Sequence, residues 1–253
     1  MSLILALAAA FFVTALLYAS VGFGGGSTYA ALLALAGLDY RVLPVVALAC
    51  NIVVVAGSSV RFARSGATPW RGALVLTALA APAAFIGGLV PIDRETFLTL
   101  LGGSLVLTAA TIILPVANAG DRAGEGEPTR FARFVPLAAA PLGFLAGLVG
   151  IGGGIFLAPV LHLVRWNRAR AIAATASIFI LVNSLFGLAG QLAKGGVGLL
   201  AGAMVDALPL LLAVAIGGQI GSLMAARILP PRWIRWLTAL LVFVVGARLM
   251  IGA

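Results

Sequence analysis

The sequence predicts an all-α polytopic membrane protein made of two inverted-topology repeats, each with four hydrophobic segments. Three observations lead to this prediction: extreme hydrophobicity, a glycine motif that recurs in the second half, and basic loops that change position between the halves. Of the 253 residues, 62% are hydrophobic and only 9% are charged. No soluble domain of this size could solvate such a composition, so the bilayer is the predicted solvent.

The charged residues are few and lie between the apolar runs. The 16 Lys and Arg against 7 acids give a formal net charge of +9, but this pattern is typical of loops that flank membrane spans rather than of a nucleic-acid surface. The only cysteine, Cys50, lies in an apolar run, so there is no disulfide framework or redox pair. No cluster of His, Cys and carboxylate residues is evident, and we expect no metal site, no cofactor and no enzymatic activity.

The first repeat is assigned to residues 1–117. It begins with a long apolar segment that glycines interrupt, 3–37, and continues with ordinary spans at 42–61, 72–91 and 96–116. A span needs about 20 apolar residues to cross the hydrocarbon of a bilayer. Residues 2–21 lack the basic start of a secretory signal peptide, and we expect them to belong to the mature fold.

The second repeat is assigned to residues 134–253, after a polar, glycine-rich and charge-mixed linker at 118–133. Its order of segments is the same: a glycine-broken segment at 134–164, then spans at 171–192, 199–226 and 234–251. VGFGGGSTYAALLAL at 21–35 aligns with VGIGGGIFLAPVLHL at 149–163 with eight identities in fifteen positions. IGG at 86–88 recurs at 216–218, so the repeat extends through each half.

The basic loops predict that the two repeats have opposite orientations. In the first half the basic loop follows the second segment, whereas in the second half basic loops follow the first and third segments. These residues are Arg61, Arg64 and Arg71, then Arg165, Arg168 and Arg170, and Arg227, Arg232 and Arg235. Cytoplasmic loops collect Lys and Arg, so inverted repeats are indicated. Each half must then cross an odd number of times, and we expect the glycine-broken segment to be a re-entrant hairpin with both termini outside.

The glycine motifs are the strongest candidates for a binding site. Irregular backbone at membrane depth is tolerated only where it is buried in protein or lines a wet cavity. A helix that resumes after the glycines presents unpaired N–H groups and a positive dipole end, which favour an anion. The candidate glycines are Gly24, Gly25, Gly26, Gly152, Gly153 and Gly154. The alternative is that they only allow close helix packing; nucleotide binding is disfavoured because no βαβ unit or Walker lysine is present.

Polar side chains near these motifs extend the candidate site. Ser27 and Thr28 follow the first motif, and Ser27 is also the expected helix N-cap. Asn51 and Ser177 correspond at a shift of 126 residues, which predicts two facing polar walls, with Asn183 as a further candidate on the second. The alternative for the hydroxyls is a bond to their own backbone. Asp206 is either a proton relay or an interfacial acid near a helix start.

With GFGGG and GIGGGIFLAPVL set in two four-segment halves, the chain resembles the TauE/SafE sulfite exporter family of bacterial membrane proteins over essentially its whole length. The resemblance implies a carrier of small sulfur-containing anions, such as sulfite or the organosulfonate sulfoacetate, in the bacterial inner membrane. The first half has Ala31 where Pro159 aligns, which puts equal roles for the two halves in doubt.

These observations together predict a secondary transporter that exports such an anion by alternating access at a site between the repeats. Its expected partners are the small anion and the lipid bilayer, with no nucleic acid; the sequence gives no oligomeric state. One alternative is an anion channel, which would keep the site but lack alternating gates. Another is a non-transporting membrane scaffold in which the repeats only pack together.

Overall fold

The computed structural model describes residues 2–20, 22–113, 129–195, 202, 205, 207–224 and 231–251. These residues form helices and connecting turns, and no strand occurs among them. Most of the predicted linker, 118–128, lies outside the described residues, as does Asp206. The all-α class predicted from the sequence is confirmed.

Within the described residues, each half of the chain contains five α-helices. Those of the first half are α1 (Ser2–Ser20), α2 (Gly26–Leu35), α3 (Leu43–Arg64), α4 (Trp70–Leu89) and α5 (Arg94–Ile113). Those of the second half are α6 (Val135–Val149), α7 (Gly154–Leu163), α8 (Ala169–Gly195), α9 (Leu208–Met224) and α10 (Pro231–Ile251), and a 3-10 helix, Arg130–Phe134, precedes α6. Both predicted breaks occur at the glycine motifs, between α1 and α2 and between α6 and α7.

Several helices have the length and composition of membrane spans. Within the described part of the chain, five helical stretches are long and apolar enough to cross a bilayer; they lie in α1, α3, α4, the 3-10 helix with α6, and α8. Large apolar side chains also cover the outside, including Leu74, Leu137 and Leu223, which are 56%, 72% and 74% exposed. An apolar exterior of this kind is stable in lipid, so the chain is a multi-pass membrane protein.

Each glycine-broken segment is a hairpin. In the first half the Phe11 and Tyr29 rings stack with centroids 4.7 Å apart, whereas 18 residues of unbroken helix would separate them by about 27 Å. In the second half the Thr129 N–H donates to the Val164 carbonyl at 3.1 Å, which brings the end of α7 back beside the approach to α6. Both segments therefore reverse direction at their glycine motifs.

Helices α3 and α8 run in opposite directions. The Ser59 and Ser177 hydroxyls share a hydrogen bond of 2.9 Å, and Leu48 Cδ1 lies 3.4 Å from where a Cβ on Gly187 would stand. Residues later in α3 thus contact residues earlier in α8, so the two helices are antiparallel. α5 and α10 also pack together.

Two glycine seams join the halves. α4 packs on α6 and α1 packs on α9, both in parallel. In each seam a Cβ added to a glycine would overlap a carbonyl oxygen of the other helix: Gly143 with Ala80, Gly147 with Ala84, Gly217 with Phe12 and Gly221 with Leu16. The missing side chains let the backbones touch, so the first helix of each half is bound to the fourth helix of the other.

Candidate functional site

The two glycine motifs meet at Asn51. Asn51 lies on α3 and is fully buried. Its Oδ1 accepts a hydrogen bond from the Gly25 N–H at 3.3 Å, and its Nδ2 donates to the Ile151 carbonyl at 3.3 Å. One side chain therefore joins the break of the first half to the break of the second.

Glycine is required here because the Asn51 amide fills the space that a side chain would need. A Cβ on Gly26 would overlap Asn51 Nδ2 and lie 2.6 Å from the Ile151 carbonyl oxygen, and a Cβ on Gly152 would lie 2.7 Å from Asn51 Nδ2. Gly152 also has a φ of +81°, a left-handed conformation that side chains disfavour. The glycines of both motifs thus leave the space that the Asn51 amide occupies.

Two helices begin at this junction. α2 starts after Gly25, and its first intrahelical bond runs from the Tyr29 N–H to the Gly25 carbonyl at 2.8 Å. α7 starts after Gly153, and the Leu157 N–H bonds to the Gly153 carbonyl at 3.2 Å. The N–H groups that precede these bonds in the first turn of each helix have no intrahelical acceptor, except that of Phe156, which donates to the Gly153 carbonyl at 3.2 Å. Two positive dipole ends therefore lie beside the junction.

The expectation that Ser27 is the N-cap of α2 is wrong. Gly25 holds that position, with φ −155° and ψ 16°, and Ser27 is the second residue of the helix. The reason is that Gly25 itself makes the non-helical step, so the helix begins immediately after the break. No side-chain hydrogen bond caps α2.

A small cavity lies between the motifs. Its volume is about 10 Å³, which is room for about one water molecule. It is lined from both halves by uncharged residues, namely Tyr18, Phe23, Gly24, Gly25, Gly26, Ser27, Ile151, Ile155 and Ile180. The cavity is therefore too small for a polyatomic anion, which needs the halves to separate before it can enter.

Two buried hydroxyl groups at the junction have no hydrogen-bond partner among the described residues. Ser27 is 1% exposed and lines the cavity, and its Oγ is unpaired. Ser184 Oγ, fully buried on α8, is also unpaired and lies 3.2 Å from where a Cβ on Gly152 would stand. A buried polar group without a partner costs about 1–3 kcal/mol, so both are suited to bind a group that enters the cavity.

The remaining predicted residues are less close to the cavity. The Thr28 hydroxyl lies 3.0 Å from the Tyr18 hydroxyl. Ser177 is bonded to Ser59, eight residues or about 12 Å along α3 from Asn51. Asn51 and Ser177 therefore do not face each other, because the antiparallel packing of α3 and α8 separates them by about two turns. Asn183 is fully buried, and its amide has no partner among the described residues.

Some residues of the junction were missed by the sequence reasoning. Tyr18, one turn before the first motif, has a phenol in an otherwise apolar run, and that phenol was a usable signal. Ile180 gave no signal, because an isoleucine on an apolar helix looks like any core residue. Its Cγ2 lies 3.3 Å from the Cβ position of Gly24 and 3.0 Å from that of Gly152, so it forms the apolar wall of the junction.

Comparisons with known proteins agree with this architecture. A family model described as sulfite exporter TauE/SafE matches residues 6–249. The chain is 35% identical over 245 residues to the probable membrane transporter protein y4hK of Sinorhizobium fredii, which covers 96% of this chain and 97% of that protein. It is 26% identical to the probable membrane transporter protein YunE of Bacillus subtilis, over 80% of this chain and 81% of that protein. It is 24% identical to the probable membrane transporter protein MJ0441 of Methanocaldococcus jannaschii, over 95% of this chain and 92% of that protein. No solved structure matches the chain.

Proposed function

Because the chain belongs to the TauE/SafE sulfite exporter family of membrane transporters, we propose that it exports a small sulfur-containing oxyanion or organosulfonate, such as sulfite or sulfoacetate. The transport is secondary and crosses the bacterial inner membrane from the cytoplasm. The protein acts as a carrier and not as an enzyme.

One observation carries this proposal: two glycine-broken helix starts from different halves meet around a buried, unpaired serine hydroxyl. Backbone N–H groups and a hydroxyl donate hydrogen bonds to the oxygens of an anion without any cationic side chain. Ile151, Ile155 and Ile180 exclude water, which strengthens those bonds. An oxyanion with three or four acceptor oxygens matches such a set of donors.

The proposed binding residues are those at the junction: Gly24, Gly25, Gly26, Ser27, Thr28, Asn51, Gly152, Gly153 and Gly154. Of these, Gly24, Gly25, Gly26 and Ser27 line the cavity, and Ser177 and Asn183 stay predictions. Asn51 positions the two motifs through its hydrogen bonds to Gly25 and Ile151. Movement of the halves would change the space between those motifs and hence the room for the anion.

Alternating access would use two inverted repeats, 1–117 and 134–253, joined by the linker 118–133. The antiparallel pairing of α3 with α8 supports inversion, because a two-fold axis in the membrane plane relates equivalent helices in this way. Trp166 packs against Gly72, which places the loops before α4 and before α8 at one face. Those loops carry the arginines Arg64, Arg71, Arg165 and Arg168, so this face is assigned to the cytoplasm.

The test is flux of labelled sulfite and sulfoacetate in proteoliposomes at controlled voltage. Gly26→Ala should reduce flux at least about tenfold, because its Cβ forces Asn51 and Ile151 apart and overpacking costs about 1–3 kcal/mol. Gly103→Ala is the matched control, since a Cβ there meets no atom within 4 Å. It should transport like the wild type.

The dependence of flux on anion concentration distinguishes a carrier from a channel. Saturable flux that is stimulated by anion on the opposite side identifies a carrier, which the closed cavity favours. Flux that does not saturate indicates a channel. A folded wild type that moves neither anion contradicts the proposed substrate class, and unchanged flux in Gly26→Ala contradicts the proposed site.

A further inference from the structure

Arg61 links the two halves at the arginine-rich face. It lies in the last turn of α3. Its Nη1 donates to Gln219 Oε1 at 3.3 Å, and its Nη2 donates to the Ser222 hydroxyl. Gln219 and Ser222 both belong to α9, in the other half of the chain. These two hydrogen bonds are therefore a latch between halves that must separate if the glycine junction is to open on this side.

Within the part of the chain that the structure describes, the latch gives Arg61 no carboxylate partner. Both of its partners are neutral, and none of the ion pairs that a guanidinium usually makes occurs among the described residues. The described carboxylates belong to Asp39 and Asp93, in the loops before α3 and α5, and to Glu95 in the first turn of α5. These loops lie at the opposite face, because Arg61 is at the far end of α3. The guanidinium thus keeps its full attraction for an anion.

The equivalent contact in the other half has a different character. Exchange of the halves relates the packing of α3 on α9 to that of α4 on α8. In the second pair a Cβ on Gly88 would overlap the Gly187 carbonyl oxygen, and a Cβ on Gly190 would overlap that of Phe85. Backbone touches backbone there, beside one side-chain hydrogen bond from Lys194 Nζ to the Val90 carbonyl at 3.4 Å, and no solute can replace the backbone contact. At Arg61 the closure consists of side-chain hydrogen bonds, which a solute can replace.

We propose that Arg61, Gln219 and Ser222 form a second anion site at the cytoplasmic mouth, where a sulfonate or other small oxyanion binds the guanidinium and releases α3 from α9. A charged, bidentate acceptor bonds a guanidinium more strongly than an amide and a hydroxyl do. The anion thereby opens its own path to the glycine junction, and the opposite face stays sealed. This site deepens the proposed transport function and depends on it for its physiological ligand.

Accessibility of the junction tests the latch without any need for transport. Ile155→Cys, which lines the cavity, serves as reporter in a chain with Cys50→Ala, so that it is the only thiol. Removing the latch with Gln219→Leu and Ser222→Ala should speed labelling by a membrane-impermeant methanethiosulfonate about tenfold from the cytoplasmic side, since bonds to a charged group hold it closed. Labelling from the outer side should not change.

A variant that is expected to slow labelling distinguishes loss of the latch from a folding defect. Gln219→Glu gives Arg61 a carboxylate partner, so the latch is stronger and the charge is neutralised. Labelling should then be slower than in the wild type. Arg64→Gln, which removes an exposed arginine of the same turn, is the matched control and should label at the wild-type rate. Equal labelling of all variants overturns the latch.

Flux then tests anion capture. Arg61→Gln should raise the KM of sulfoacetate efflux about tenfold, because a charge-assisted bond is lost, and Arg61→Lys should restore part of the loss. An unchanged KM in Arg61→Gln overturns the capture site even when wild-type flux is normal. Absence of flux in the wild type contradicts the proposed function instead, and the labelling result still decides whether the latch exists.

Discussion

The Asn51 side chain connects the two glycine motifs by hydrogen bonds in a buried interior. Its short amide carries an acceptor and a donor on adjacent atoms, and it uses one on Gly25 and the other on Ile151. The contact between the two halves at this point therefore depends on a single residue.

Replacement of Asn51 by leucine should damage both stability and transport. It leaves the Gly25 N–H and the Ile151 carbonyl buried without a partner, at about 1–3 kcal/mol each. We expect thermal unfolding in detergent several degrees below the wild type, and flux reduced even in the protein that remains folded. Ser59→Ala is the control, since it removes one buried hydrogen bond between α3 and α8 but lies away from the junction. Equal flux in both variants would show that Asn51 has no special role.

For single residues, the sequence was informative only where the residue type itself differs from its surroundings. The paired glycine motifs and Asn51 stand out from their apolar surroundings and could be predicted as a group. Ser184 could be seen but not ranked, because its position opposite Gly152 depends on how α8 is rotated. Ile180 could not be predicted, since its importance comes only from the space that it fills.

Among the helices, the glycine seams show that small residues act in packing as well as in binding. Gly143 and Gly147 bring α6 against α4, and Gly217 and Gly221 bring α9 against α1. The close-packing alternative raised for the glycine motifs is thus realised elsewhere in the chain. Sequence alone could not separate the two uses, because both place glycines in apolar helices.

The two seams should be equally sensitive to substitution. Gly147→Ala and Gly221→Ala each place a methyl group on a carbonyl oxygen of the facing helix, and overpacking of this kind costs about 1–3 kcal/mol. Thermal unfolding in detergent should show similar losses for both. Gly103→Ala, where the added methyl group meets open space, should lose nothing. A large loss in one seam alone would contradict their equivalence.

The start of α5 carries a pH-dependent cap. Asp93 Oδ2 accepts the Thr96 N–H at 3.0 Å, and Oδ1 accepts the Thr96 hydroxyl at 2.7 Å. The backbone bond first and the side-chain bond second lower the pKa of this exposed carboxyl below its ordinary value. Because the folded protein favours the charged form, the stabilisation is present above the ordinary pKa of about 3.9 and is lost as the pH falls through the lowered value.

Asp93→Ala should therefore melt at a lower temperature than the wild type at neutral pH, and the difference should shrink as the pH falls below about 4. Melting of both proteins in detergent between neutral and acidic pH measures this difference. A difference that is constant with pH would mean that the Asp93 charge makes no contribution to the cap.

For the whole molecule, the relative directions of the helices are set by contacts between segments that are distant in sequence. The glycine-broken segments reverse direction, α3 runs antiparallel to α8, and the helices of each glycine seam run parallel. The sequence predicted the broken segments and, from its arginines, the inversion. It could not predict which helices pair, because the seam residues are ordinary glycines and alanines and the pairing is made by distant parts of the chain.

Cysteine labelling of loops tests the inverted arrangement. In a chain with Cys50→Ala, Ser65→Cys and Asn167→Cys should react with an impermeant reagent only in inside-out vesicles, whereas Pro91→Cys should react in intact cells. Parallel repeats would put the loops of residues 65 and 167 on opposite sides of the membrane. Labelling of those two positions from different sides would therefore exclude inversion.

The neutrality of the cavity has an electrical consequence. Every residue that lines it is uncharged, so the membrane field acts on the bound ion and not on the binding site. In the proposed carrier, the empty site would return without moving a charged side chain, and that return step would be insensitive to voltage. The outward step with a monoanion moves one elementary charge, and an interior 100 mV negative favours it by about 2.3 kcal/mol. The resting potential alone can then drive this ion out, with no accompanying proton.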